Sequence, residues 1–228
     1  MKNIAIIPAR SGSKGLKDKN IKEMNGKPLM AYTVEAAVDS GIFDTVHVST
    51  DSEKYADIAR KCGADVPFLR SDEKASDSAS SWDVVKEVLN RYRELGKDYD
   101  NVVLLQPTSP LRDSTDIIKA FELFTERSAG AVISVCEVDH SPILSNVLPE
   151  NLSLDGFISK KSSGPRQMYD SYYRLNGAIY IVNINYLYDD INIYREGSYA
   201  YIMDKRKSVD IDDAFDFEIA EFIMKRQQ

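Results

Sequence analysis

The sequence predicts an α/β protein with an open, mostly parallel sheet and helices on both faces. Three observations predict it. Short β-branched apolar runs alternate with amphipathic helical patterns as far as Val138, an order that builds parallel sheets through helical crossovers. A glycine-rich basic loop follows the first run directly, and in such sheets ligands collect beyond the C-terminal ends of the strands. The composition, 43% hydrophobic and 29% charged, allows a sizeable core beneath an ordinary charged surface.

The elements follow in order. "NIAIIPA" is a buried strand, ended by Pro8 and the loop. "PLMAYTVEAAVDSG" sets Leu29, Tyr32 or Thr33, Ala36 and Ala37 at helical spacing; Pro28 suits the first turn and Gly41 the stop. "TVHVST" is a second strand, "SEKYADIARKCG" a helix and "VPFL" a third strand. "SWDVVKEVLNRYRELG" is an amphipathic helix with Val84, Val85, Val88, Leu89 and Tyr92 on one face. "NVVLLQ" reads as a central strand, "TDIIKAFELFTERS" as a helix and "AVISVCEV" as a strand.

From Asp139 to Asn176 the rhythm breaks, with frequent proline, glycine and serine. A structureless insert of that length is unusual inside a compact domain. The span 139–176 is therefore expected to be a small excursion with short strands, an interface or a lid, within a single domain of residues 1–228. "GAIYIVN" and "YAYIMD" return to strands, and "DDAFDFEIAEFIMKRQ" closes the chain as an amphipathic helix. The strand-end rule selects "ARSGSKG", "STDS", "LRSDEK" and "QPTSPLR" as the segments lining a site.

Charge narrows the ligand. Acids outnumber bases 36 to 29, a formal net charge of −7, which argues against a nucleic-acid-binding face. Yet "IPARSGSKGLKDKN" gathers Arg10, Lys14, Lys17 and Lys19 around Gly12 and Gly15, with Asp18 its one acid. Backbone N–H groups of such a loop cradle phosphates, and neighbouring cations neutralise them. The loop lacks the GxxxxGK[ST] order of a P-loop and the GxGxxG of a dinucleotide fold. A small polyanion such as a nucleotide is expected, with Lys14 and Lys17 as readily solvated as bound.

Cys62 and Cys136 form no disulfide framework or zinc pattern. The apolar run at the N-terminus is too short for a signal peptide, and no stretch approaches the roughly 18–20 apolar residues of a membrane span. A cytoplasmic protein with no membrane partner is the expectation. His47 in a strand, His140 at a turn and Trp82 on a helix read as structural residues, and Asp51 as a pocket residue.

Taken together, "IPARSGSKGLKDKN", "VSTDS", "ASDSASS", "LLQPTSPLR", "RLNGAIYI" and "VDIDDAFDF" resemble the N-acylneuraminate cytidylyltransferases, in the right order over nearly the whole chain. The resemblance implies a Rossmann-like nucleotide-sugar transferase fold and transfer of CMP from CTP to the anomeric hydroxyl of a nonulosonic acid, releasing pyrophosphate. It implies Arg10 and Lys19 on the phosphates, with Gly12, Ser13 and Gly15 shaping the cradle. Asn20, Arg70 and Ser81 match cytosine-contacting positions; amide, guanidinium and hydroxyl groups complement the base's donor and acceptors. Ser81 also suits a helix N-cap.

Asp210 and Asp212 stand two apart, so in an extended segment their carboxylates share a side. Magnesium takes one or two carboxylates plus phosphate oxygens and waters. Mg2+ (or Mn2+) is expected there, with Asp213 capping the last helix. Gln106, Thr108 and Ser109 are implied on the sugar, with Asn176 and Gly177 bordering its pocket. Arg166 matches an arginine near the sugar carboxylate, carried by the excursion of a homodimer partner. "QPTSP" lacks the acid of the "QGDEP"-like element of KDO cytidylyltransferases, which favours the sialic branch. Legionaminate or pseudaminate as the sugar, and a non-catalytic CTP-binding regulator, are the rival readings.

Overall fold

The computed structural model describes residues 1–13, 15–71, 80–158 and 170–227. Lys14 and Arg166, expected near the ligand, lie outside the described residues. The strands are β1 (Asn3–Pro8), β2 (Glu23–Met24), β3 (Lys27–Pro28), β4 (Thr45–Ser49), β5 (Asn101–Leu104), β6 (Ala131–Glu137), β7 (Tyr173–Asn183) and β8 (Ser198–Ile202). The helices are α1 (Leu29–Asp39), α2 (Glu53–Lys61), α3 (Ser81–Glu94), α4 (Ser114–Glu126), α5 (Ile184–Asp189) and α6 (Ala214–Gln227).

Six strands form one sheet in the order β4-β1-β5-β7-β6-β8, and β2 and β3 make a separate small hairpin. β1 pairs parallel with β4 and β5, and β6 pairs parallel with β8. β7 alone runs against its neighbours β5 and β6. The expected mostly parallel sheet is present, with one reversed strand at its middle.

Alternation along β1 shows why helices cover both faces. Ala5 and Ile7 enter a core with Val34 and Ala37 of α1, Tyr55 and Ala59 of α2, and Ile117 and Phe124 of α4. Ile4 and Ile6 point the other way, onto Val85, Val88 and Tyr92 of α3 and Leu187 of α5. Strands buried on both faces read as continuous apolar runs rather than alternating ones, as "IAII" does. A third cluster joins Met24 and Leu29 to Ile211 and to Phe217 and Ala220 of α6.

Three expectations are corrected. "VPFL" is not a strand: only Asp65 makes an isolated parallel bridge, to His47, and Pro67 has no N–H to continue a ladder. Pro28 precedes α1 in an extended conformation rather than opening its first turn. Tyr173 to Asn176, expected in the excursion, begin β7. Between Val138 and Ile158 the described residues hold one short 3-10 turn, Pro142–Leu144, and no strand.

β7 has a further irregularity. Ile133 pairs with Tyr180 and Val135 with Leu175, so Ser134 alone faces the stretch Asn176-Gly177-Ala178-Ile179. The Ser134 hydroxyl donates to Asn176 Oδ1 at 2.6 Å and accepts from the Ile179 N–H at 2.8 Å. Bulges of this kind bend a strand and re-aim its residues beside functional sites. Because β7 is reversed, its bulged beginning lies at the C-terminal edge of the parallel strands.

Candidate active site

Several chain segments meet at that edge. The basic loop leaves β1 and is pinned at its start by Asp51, which follows β4. Asp51 accepts from the Ser11 N–H at 2.8 Å and from the Ser11 hydroxyl at 2.9 Å. Burial works against the Asp51 carboxylate, but these bonds and the charge of Arg70 outweigh it and lower its pKa. Asp51, read from the sequence only as a pocket residue, thus orients the first turn of the loop.

Arg70 is 8% exposed. Its guanidinium donates to the Ser49 hydroxyl and carbonyl at 3.1 and 2.7 Å. Burial lowers its pKa, Asp51 and Glu87 oppose this, and the charge of Arg10 adds to the lowering. The charge of Arg10 therefore reaches Arg70, but less strongly than those of Asp51 and Glu87. Asn20 is 4% exposed; its amide N–H donates to the Arg10 carbonyl at 3.0 Å, and its Oδ1 has no partner among the described residues. Ser13 N–H bonds back to the Ser11 carbonyl at 3.1 Å. Gly12 is exposed, with nothing within 4 Å of the place a Cβ would take.

Gly15 differs. A Cβ there would collide with the backbone carbonyl of Asp212, so glycine lets the loop lie against the acidic segment. Lys19 fastens the same contact: its Nζ donates to the Ile211 carbonyl at 2.5 Å and stands 3.9 Å from Asp212 Oδ1. Ile211 is fully buried between the two aspartates, and its N–H donates to the Thr108 carbonyl at 2.9 Å. The segment is thereby locked to the turn after β5.

That turn carries Gln106, Thr108 and Ser109. Ser109 is fully buried, and its hydroxyl has no partner among the described residues. Gly177, at φ +75°, approaches so closely that a Cβ would stand 2.6 Å from Gln106 Oε1 and 3.3 Å from Asp210 Oδ2. Asn176 is 1% exposed, and its amide is engaged by the Ser134 hydroxyl, the Ser208 hydroxyl and the Ala178 N–H. It braces the bulge, while Gly177 is the residue turned to the pocket. Burial raises the Asp210 pKa; a bond from Thr108 lowers it, Asp212 raises it, and Lys19 and Arg174 lower it.

These residues fit a divalent cation. Asp210 Oδ1 is buried without a hydrogen-bond partner among the described residues, and the Asp212 carboxylate lies near enough to raise its pKa. No group of three or more His, Cys, Asp or Glu side chains forms a cage among the described residues. Two carboxylates completed by phosphate oxygens and water is the shell Mg2+ favours.

Ser81 opens α3 but does not cap it. Ser80 is the N-cap, in a reciprocal capping box with Asp83. Asp213 accepts from the Phe215 and Asp216 N–H groups at 2.8 and 3.1 Å, the expected cap of α6. His47 is buried, with Nδ1 3.2 Å from the Tyr92 hydroxyl. Sequence reasoning missed Tyr180. Its pKa is pushed up to about 12 by burial, then Tyr194 and then Asp210, and its ring packs edge-on to Trp82. The apolar run "GAIYIVN" reads as a strand, but it does not say which side of the sheet Tyr180 meets.

The site is thus a glycine-rich basic loop at the edge of the sheet, tied through Lys19 to a segment that carries two carboxylates. The chain belongs to the cytidylyltransferase family, whose profile matches residues 4–218. It is 44% identical over 227 residues to an N-acylneuraminate cytidylyltransferase of Escherichia coli, covering 99% of this chain and 53% of that protein. The chain thus spans about half the length of that relative. It is 33% identical over 232 residues to a CMP-N,N'-diacetyllegionaminic acid synthase of Legionella pneumophila, covering 100% and 98% of the two chains. The fold matches that of a CMP:2-keto-3-deoxy-manno-octonic acid synthetase complexed with CTP, with a TM-score of 0.74, 16% identity and full coverage of both chains. No helix among the described residues is long and apolar enough to cross a membrane.

Proposed function

We propose that the protein transfers CMP from CTP to the anomeric hydroxyl of a nonulosonic acid. The hydroxyl oxygen bonds to the α-phosphorus and gives up its proton to solvent, the bond from that phosphorus to the bridging oxygen breaks, and pyrophosphate leaves. The observation that carries this reading is Lys19, bound to the carbonyl of Ile211 beside Asp212. It puts the phosphate loop and the carboxylate pair at one place.

In this reading Arg10 and Lys19 hold the triphosphate, with Gly12, Ser13 and Gly15 forming the cradle. Charge stabilisation and alignment supply most of the acceleration. Asn20, Arg70 and Ser81 select cytosine; the buried Asn20 Oδ1 offers an acceptor for the base's amino group. Asp210 and Asp212 hold Mg2+ or Mn2+, which when bound neutralises phosphate charge. Gln106, Thr108, Ser109 and Gly177 position the sugar, with Asn176 behind them.

Arg166, in the excursion that ends where β7 begins at Tyr173, is assigned to the sugar carboxylate in a homodimer. Exposed Val147, Leu148, Leu152, Leu154, Tyr172 and Tyr173 on and beside the excursion are apolar side chains that such an interface would cover. The sialic sugar is favoured by the higher identity to the E. coli relative. The Legionella relative supports legionaminate as the second reading.

The test is pyrophosphate release from CTP and Mg2+ with N-acetylneuraminate, legionaminate, pseudaminate or KDO, each beside a no-sugar control. Release with one nonulosonate is expected and names the substrate. CTP binding without release from any of them would replace the transfer reading with the regulatory one.

A further inference from the structure

Three elements hold the segment from Asp204 to Asp212. The Ile211 N–H bonds to Thr108, as above. Ser208 is fully buried; its hydroxyl accepts from Asn176 Nδ2 at 2.9 Å, and its carbonyl accepts from Arg174 at 3.0 Å. The third is an ionic clamp. Lys207, the last residue of the short turn Lys205–Lys207, reaches the N-terminus of α4. Its Nζ stands 2.6 Å from Asp113 Oδ2 and 3.0 Å from Asp116 Oδ2.

This clamp is partly buried and fully networked. The Asp116 side chain is 9% exposed and also accepts from the Tyr201 hydroxyl of β8 at 3.2 Å. Asp113 and Asp116 cap α4 reciprocally, where the helix dipole favours acids. Arg112 lies behind them at 1% exposure, its Nη2 donating to the Thr33 hydroxyl at 2.7 Å. Burial works against the Lys207 ammonium, but its two hydrogen bonds outweigh this and raise its pKa. Breaking one side of a buried pair leaves an uncompensated charge, so the clamp resists opening.

We propose that Lys207 is a positioning residue for Asp210: its clamp on Asp113 and Asp116 sets the acidic segment against the turn carrying Gln106 to Ser109. The geometry is a ladder with two rungs. One rung is Lys207 to Asp113, and the other is Ile211 to Thr108. Asp210 stands between them, three residues past Lys207, a chain reach of at most about 10 Å. Pro110 and the α4 cap stiffen the opposite rail. With the Lys207 rung removed, the Ser208 bonds and the Ile211 rung still hold the segment, but its approach to Asp210 is no longer fixed against α4 and the carboxylate shifts.

This inference rests on reading Asp210 as a metal ligand, so its test includes that residue. Mn2+ binding in the presence of CTP, without sugar, is followed by the paramagnetic resonance of free Mn2+. Lys207→Met is expected to weaken Mn2+ binding about tenfold or more, as losses behind metal ligands do. Lys207→Arg restores most of the affinity. Asp113→Asn, which retains a good helix cap, weakens it in the same direction and serves if Lys207→Met does not fold. At saturating Mn2+, turnover of Lys207→Met recovers toward the parent, placing the defect in the metal's KM rather than in kcat. Unchanged Mn2+ affinity in Lys207→Met and Asp113→Asn, with Asp210→Asn weakened, overturns the positioning role alone. Unchanged affinity in Asp210→Asn overturns the metal assignment and this inference with it.

Discussion

Lys19 bonds to the main-chain carbonyl of Ile211, a residue 192 positions later in the chain. One side chain of the basic loop therefore ties it to the segment presenting Asp210 and Asp212. Lys19→Met is expected to lower kcat about 10²- to 10³-fold, the size of losing one donor at a developing charge. The orphaned carbonyl is expected to cost about 1–3 kcal/mol of stability. Steady-state kinetics and urea melts of the same preparation check both; full activity would remove Lys19 from the phosphates.

Gly177 and Gly12 are opposite kinds of glycine. Gly177→Ala is strained at φ +75° and presses on Gln106, so it is expected to lose about 1–3 kcal/mol and to raise the KM for the sugar. Gly12→Ala meets open space and is expected to stay within about 0.5 kcal/mol of the parent. Equal melting temperatures for the two variants would contradict this contrast.

Asp51 holds both polar groups of Ser11. Asp51→Ala is expected to raise the KM for CTP about tenfold, the effect of one charged hydrogen bond lost. Asp51→Asn keeps one acceptor and falls between the two. A CTP titration of Asp51→Ala that matches the parent would show that the loop holds its shape unaided.

His47 gives a pH dependence. Burial first, then the charge of Arg70, lowers its pKa to about 3 from an ordinary 6.5. The unfolded chain binds a proton below 6.5 that the folded one refuses until about 3, so stability falls as pH drops through that window, by about 1.4 kcal/mol per unit. His47→Leu is expected to flatten this slope in denaturant melts taken from pH 7 to pH 4.

The basic loop beyond β1 was legible because its signal is local: cations and glycines are contiguous after a strand. The aspartate pair was legible for the same reason, and buried Ile211 between them keeps the two-residue periodicity. The reversal of β7 was not legible, because "GAIYIVN" has the same apolar pattern in either direction. Its bulge depends on Ser134, 42 residues before Asn176, and no local pattern encodes that distance. The failure of "VPFL" came from weighing its apolar content above the missing N–H of Pro67. Ser80 took the cap expected of Ser81 because Asp83 stands three residues after Ser80, completing the box. Lys207 was silent for a related reason: its meaning lies in Asp113 and Asp116, across the fold.

The chain has one tryptophan, and it stands next to Ser81 with its ring 6.1 Å from that of Tyr180. Tyr180 in turn senses the charge of Asp210. The chain's single indole therefore reports from the first turn of α3, against the ring of Tyr180. On the proposed function, nucleotide bound beside Ser81 is expected to change this emission, which a CTP titration of the unlabelled protein would read.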